Sequence, residues 1–255
     1  MDYKKIDFLS IPVDALTMGQ TILKIDQCIQ NNEHIQHVVV NASKVVAMQS
    51  DKELYDSVVK CDLINADGQS IIWAARILGK YLPERVTGID LMQNLIILAA
   101  ERGYKCFLLG AKEEVVRKVV DFYSKEYGQN IIVGYRNGYF SVDEEAEVAQ
   151  QIADSKANML FVAITSPKKE IFQNKYQNVF RSVNFTMGVG GSFDVVAGIT
   201  KRAPRWMREM GMEWFFRLIQ EPRRMWKRYL IGNYKFMKLV LKEKRKDKKK
   251  SRNFF

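Results

Sequence analysis

Short apolar runs rich in β-branched residues alternate with longer amphipathic segments through most of the chain, the pattern of a parallel sheet whose crossover connections are helices. It predicts strands at 37–41, 61–65, 104–110, 130–134, 159–165 and 184–189, with helices in the gaps. FLLG (107–110) and LFVAIT (160–165) show no polar alternation, as expected of strands buried on both faces. The segment 112–126 places Val115, Val116, Val119, Phe122 and Tyr123 on one helical face, while Glu113 and Glu114 suit the positive end of the helix dipole. Residues 1–198 therefore read as a Rossmann-like α/β core, a parallel sheet flanked by helices.

The texture changes after Gly198. Trp, Phe, Met and Leu are interleaved with Arg and Lys at helical spacing, and Pro204 and Pro222 suit the first turns of two helices. Residues 199–255 are predicted to be a basic, aromatic, helical appendage.

Composition sharpens this division. The 255 residues are 47% hydrophobic, enough for a packed core, which excludes a wholly disordered chain. Three cysteines (Cys28, Cys61, Cys106) with no CxxC build neither a disulfide framework nor a thiolate zinc site, so a reducing compartment is expected. No signal-like stretch opens the sequence and no run of about 18 apolar residues occurs, so the expected location is cytoplasmic. The formal net charge of +11 is unevenly spread: residues 199–255 hold 19 Lys and Arg against 5 Asp and Glu, a net of +14, leaving −3 for residues 1–198. Such a tail suits a polyanion, a membrane surface or a nucleic acid, although a lysine run such as 242–252 can also be merely solvated.

An open parallel sheet binds ligands beyond the carboxyl ends of its strands. Those ends carry Asn41-Ala-Ser, Asn65-Ala-Asp67-Gly68, Gly110, Thr165-Ser-Pro-Lys-Lys169-Glu170 and Gly188-Val-Gly190-Gly191-Ser192. Asp67 reads either as a helix cap at a turn or as a general base at a strand tip. The glycine turn at 188–191 lacks the spacing of a dinucleotide fingerprint or a P-loop. His34 and His37 flank the first strand and, with these cysteines, make no metal site; no DxD-type acidic pair occurs, so no metal is expected. Arg224 and Arg228 share a helical face, with Arg217 two turns back across Pro222, and guanidinium groups suit bidentate diphosphate recognition.

The order of these motifs resembles the WecG/TagA/CpsF glycosyltransferase family, glycosyltransferase family 26. The matching pieces are ADG (66–68), ERVTGIDL (84–91), FLLG (107–110), GYRNGYF (134–140), SPKKE (166–170), MGVGGSFDVVAG (187–198), KRAPRWM (201–207), GMEWFFRL (211–218) and EPRRMWKRY (221–229). The resemblance implies an inverting, metal-independent transfer of an N-acetylmannosamine-type sugar from a UDP donor to N-acetylglucosamine on undecaprenyl diphosphate, with no cofactor beyond the donor. By matching position, Asp67 would be the base, with Asn41 beside it. Arg85, Gly88 and Asp90 would shape the site, and Gly188, Gly190 and Gly191 would border the nucleotide. The appendage would dock on the inner face of the bacterial membrane and bring Arg217, Arg224 and Arg228 to the diphosphate.

Two positions depart from the family pattern. Lys169 replaces the expected glutamine, which suits an anionic donor sugar or a further phosphate contact, and Val39 stands where some relatives have threonine. The expected partners are the UDP-sugar, the lipid-linked acceptor and an anionic membrane surface, with room for a homo-oligomer and no nucleic acid. Two other classes compete with this reading. A nucleic-acid-binding protein would use the tail, but Asp67 and Asp90 would repel a phosphate backbone; an oxidoreductase or methyltransferase would carry its glycine turn after the first strand, not the last.

Overall fold

A computed structural model describes residues 4–252, without the side chains at 224, 227, 228 and 247–252. The chain opens with a hairpin, β1 (Lys5–Phe8) and β2 (Ile11–Asp14), followed by α1 (Met18–Gln30), β3 (Ile35–Val40), α2 (Ala42–Ala47) and α3 (Lys52–Val59). Next come β4 (Leu63–Ala66), α4 (Gln69–Ile77), α5 (Gly88–Arg102), β5 (Cys106–Gly110), α6 (Glu113–Tyr127), β6 (Ile132–Arg136) and α7 (Glu145–Asp154). The core closes with β7 (Met159–Ala163), α8 (Lys168–Lys175), a 3₁₀ turn at Val179–Ser182, β8 (Phe185–Gly188) and α9 (Ser192–Val196). Three helices follow: α10 (Arg205–Glu209), α11 (Glu213–Gln220) and the 31-residue α12 (Pro222–Arg252).

Strands β3 to β8 form one parallel sheet in the order β4-β3-β8-β7-β5-β6. The six predicted strands are these six, with ends moved by a few residues. Alternate side chains supply two cores. Ile35, Cys106, Leu108, Met159, Phe161, Phe185 and Met187 pack with α5 and α6 on one face. On the other, Val38, Val40 and Ile64 meet the hairpin, α2, α3 and α4, while Phe107, Leu109, Leu160 and Val162 meet α7 and α8. Burial on both faces is why these strands lack polar alternation.

The helix predicted at 112–126 forms at Glu113–Tyr127, and Val115, Val116, Val119 and Tyr123 are buried as expected. Phe122 is 49% exposed instead. At about 100° per residue it falls on the rim of the buried arc, where its ring meets that of Tyr123 edge-on at 5.3 Å. The hairpin, a pair that the sequence pattern did not reveal, lies beside β4, whose Ile64 N–H donates to the buried Asp14 carboxylate at 2.9 Å. That contact occupies a donor an edge strand would otherwise leave open.

Pro204 and Pro222 stand at the starts of α10 and α12. Helix α12 runs along α2, and Phe236 and Val240 are buried in the same cluster as Phe8, Val45 and Ile71. Phe8 and Phe236 rings lie 6.4 Å apart. The middle of α12 is thereby packed onto the α/β core.

Candidate active site

The parallel register of β3 and β4 pairs Val40 with Ala66, so the next residue of each strand, Asn41 and Asp67, emerges side by side. The Asp67 N–H donates to Val40 O at 2.8 Å, extending the ladder by one bond. Gly68 then turns the chain at φ +100°, a region that favours glycine, and serves as the N-cap residue of α4 without any side-chain cap bond. Asp67 is thus not the cap of that helix. Among the described residues nothing donates a hydrogen bond to its carboxylate. Asn41, by contrast, caps α2, its Oδ1 accepting from Lys44 N at 3.0 Å.

Among the described residues, the charged side chains that act on Asp67 include Glu213 and Arg217 from α11, Lys44 from α2, and Arg85 from the loop before α5. Burial, then the like charge of Glu213, push the Asp67 carboxyl up to about 6, against the opposing pull of Arg217, Lys44 and Arg85. A carboxyl with that proton affinity accepts protons near neutral pH, as a general base must.

Arg85 reaches this place because Val86 N–H donates to Ala66 O at 2.8 Å, returning the loop to the tip of β4. Its guanidinium donates to Arg208 O and lies 3.9 Å from Glu213 Oε2. Glu213 Oε1 in turn accepts from Arg217 at 2.9 Å. Burial works against the Arg217 charge, but Glu213, Tyr229 and Asp67 hold its pKa above the ordinary arginine value. Asp90, in the first turn of α5, accepts from Arg202 at 2.6 Å and from the Thr87 hydroxyl, with Arg208 at 3.7 Å. Burial alone would raise its pKa; these bonds, chiefly those from Arg202 and Thr87, hold it down. Asp90 therefore ties the segment before α10, and α10 itself, to the core.

A buried ion cluster lies nearby. Lys44 Nζ donates to Val39 O at 2.7 Å and sits 2.7 Å from Glu170 Oε1, which Lys169 Nζ approaches at 2.9 Å. Although burial opposes it, Lys44 and Lys169 hold the Glu170 carboxyl at about 2. The Lys169 stem crosses Gly188 so closely that a Cβ there would meet its Cδ and Cε at 2.9 Å. Gly188 ends β8, Gly190 turns the chain at φ +55°, and Gly191 precedes α9.

The structure thus brings Asp67, Arg85 and Arg217 together, with Asn41 next along the strand ends. It places Asp90 in an ion pair, and Lys169 beneath Gly188 paired with Glu170. Arg224 and Arg228 lie on α12, but their side chains fall outside the described residues. Sequence reading passed over Lys44, Glu213, Arg202 and Arg208. Glu213 had a visible signal, since it stands four residues before Arg217 on one helix. Lys44 had none, because its role depends on Glu170, which lies far away in sequence. Among the described residues no three His, Cys, Asp or Glu side chains are grouped as metal ligands.

Comparison with known proteins identifies the family. Residues 6–250 match the model of the glycosyl transferase WecG/TagA/CpsF family. The chain is 37% identical over 209 residues, 82% of its length and 80% of the relative's, to the N-acetylglucosaminyldiphosphoundecaprenol N-acetyl-beta-D-mannosaminyltransferase of Bacillus subtilis (strain 168). It is 33% identical over 251 residues, 96% of its length and 95% of the relative's, to the protein of the same name from Staphylococcus aureus (strain MW2).

Proposed function

The chain is a glycosyltransferase of the WecG/TagA/CpsF family, and we propose that it moves N-acetylmannosamine from a UDP donor to N-acetylglucosamine on undecaprenyl diphosphate, with inversion and without a metal ion. The observation that carries this reading is Asp67, a strand-tip carboxyl of raised proton affinity with two guanidinium groups, Arg85 and Arg217, beside it. The names of the relatives supply the acceptor and the sugar.

In the proposed reaction the ionised Asp67 takes the proton of the attacking acceptor hydroxyl. That oxygen forms its bond to the anomeric carbon on the face opposite UDP, and the bond to the β-phosphate oxygen breaks with its electron pair leaving on UDP. Arg85 and Arg217 take up the charge that develops there, the part a metal ion plays in other enzymes of this chemistry. General-base assistance contributes typically about 10²- to 10⁴-fold. Lys169, where the family has glutamine, stands in the first turn of α8 with its stem against Gly188 at the end of β8, and is proposed to bear on which donor sugar is accepted.

We further propose that residues 199–255 act as one functional unit, docking the enzyme on the anionic inner face of the membrane, where its acceptor resides. No described helix is long and apolar enough to cross a membrane. The appendage instead presents Trp206, Met210, Trp214, Phe215, Ile219 and Leu230, all exposed, among arginines and lysines. Apolar and aromatic groups set in a basic surface suit the boundary of an anionic bilayer, each cation contributing about 1 kcal/mol.

The test is an incubation with a panel of UDP-sugars and a lipid-linked N-acetylglucosamine acceptor, with and without a chelator. Transfer from UDP-N-acetylmannosamine that survives chelation is expected. Transfer only from another donor, or only with a divalent ion, would refute the corresponding part of the proposal.

A further inference from the structure

Glu213 is an unexpected neighbour for a general base. A second carboxylate beside Asp67 opposes the ionisation that proton abstraction requires. Its side chain is only 14% exposed, so water does little to dilute that effect. The geometry accounts for its presence in another way. One oxygen accepts from Arg217 at 2.9 Å and the other lies 3.9 Å from Arg85. Arg85 comes from the core and Arg217 from α11, and a single carboxylate spans both. Two guanidinium groups converging on one anion form a receptor for phosphate oxygens. Glu213 fills that receptor with an anion belonging to the chain itself.

We propose that Glu213 is a positioning residue that stands in for the donor's diphosphate, holding Arg85 and Arg217 convergent beside Asp67 until the diphosphate displaces it. This rests on the UDP-sugar reading above. The empty site keeps its two cations paired and in place, and a nucleoside diphosphate exchanges one set of ionic contacts for another rather than assembling the receptor anew. Among the described residues, the groups that face Asp67 are Glu213, Arg217, Lys44 and Arg85; those that face Glu213 are Arg85, Arg217 and Asp67; Tyr229 also faces Arg217. Removing the Glu213 charge therefore acts in two directions at once. It frees the arginines for phosphate, and it relieves Asp67 of its carboxylate neighbour.

The experiment measures UDP binding by calorimetry and the pH dependence of transfer for the wild type, Glu213→Gln and Glu213→Asp. Glu213→Gln is expected to bind UDP about 3- to 10-fold more tightly, in keeping with the modest worth of a partly exposed ion pair. Its acid limb should also move to lower pH, while Glu213→Asp, which keeps the charge, should return that limb towards the wild-type position. A carboxylate that merely anchors α11 would give weaker or unchanged UDP binding in Glu213→Gln, and that result overturns the proposal. Carbon-13 NMR of the Glu213 carboxyl in the unaltered chain provides the same test without a variant: its signal should move towards that of a free glutamate when UDP is added, and an unmoved signal refutes the exchange. If the wild type binds no UDP, the donor assignment falls and this inference falls with it. If the wild type binds UDP and Glu213→Gln binds it no better, the inference alone fails.

Discussion

Replacing Asp67 by asparagine should make the protein more stable and less active, and the two effects should depend on pH together. The folded carboxyl has its proton affinity raised from 3.8 to about 6 by burial, then by Glu213. At about 1.4 kcal/mol per tenfold in proton affinity, the folded state loses at most about 3 kcal/mol when Asp67 ionises. Asp67 keeps partial contact with solvent, and screening reduces this to about 1–2 kcal/mol. The raised value fixes the sign: the folded chain holds the proton more tightly than the unfolded one, so this stability is present below pH 3.8 and is lost as pH rises through about 6. Asparagine keeps the shape and never ionises. In thermal unfolding at pH 7.5, taken as about 2–4 °C per kcal/mol for a chain of this size, Asp67→Asn should melt about 2–8 °C higher than the wild type, and the gain should vanish towards about pH 4. Transfer should fall by about 10²-fold or more, while UDP binding stays close to that of the wild type. A lower melting temperature with near-normal transfer would mean that Asp67 holds the turn into α4 and is not the base.

Other expectations follow from the same contacts. Arg217→Ala should lower the transfer rate by about 10²-fold, and Arg217→Lys should recover little of it in the same assay, because an ammonium lacks the guanidinium fork. Glu170→Gln leaves Lys44 and Lys169 buried without their carboxylate and should cost about 3–5 kcal/mol in denaturant unfolding at neutral pH. Because Glu170 is held at about 2, below its ordinary value of 4.5, its contribution is complete above pH 4.5 and is lost as pH falls towards 2, so the gap between wild type and variant should close over that range. Lys169→Gln should change the relative rates across a panel of UDP-sugars, and an unchanged donor profile would confine Lys169 to its pairing with Glu170. Phe236→Ala should cost about 3–5 kcal/mol in the same unfolding assay, since its ring is 1% exposed and packs against Phe8.

The sheet was legible because burial on both faces leaves an unbroken apolar run in strands such as β5 and β7, whereas β3, β4 and β8 carry polar residues within buried strands and the edge strand β6 is only partly buried. The β1–β2 hairpin was not. Its strands are four residues long and belong to a separate two-stranded sheet, so KIDF and IPVD present neither a long run nor an extended alternation. Strand ends shifted where a local turn took the first residues: Gly128 to Ile131 closes a turn with a 3.3 Å bond, and β6 therefore begins at Ile132 rather than at residue 130.

The site divides along the same line. Asp67, Asn41 and the glycines at 188–191 could be located because a parallel sheet gathers the residues that follow its strands at one edge, whatever lies between them in sequence. What those residues touch could not be read, since each contact joins distant segments. Asp90 shows the consequence. As a strand-distal acid in a family motif it reads as a pocket residue, and its bonds to Arg202 and Thr87 also make it a joint through which the core holds the start of the appendage. Arg208, whose carbonyl accepts from Arg85 and whose guanidinium approaches Asp90, extends that joint towards the base. The basic charge of residues 199–255 therefore has two destinations. Arg202 and Arg208 turn inward to meet Asp90, and Arg217, though 46% exposed, pairs with Glu213 beside Asp67, while Lys235, Lys238 and Lys242 of α12 are exposed. A net charge cannot distinguish these uses. The carboxylates of the core and of α11 do, by selecting which arginines are drawn out of solvent.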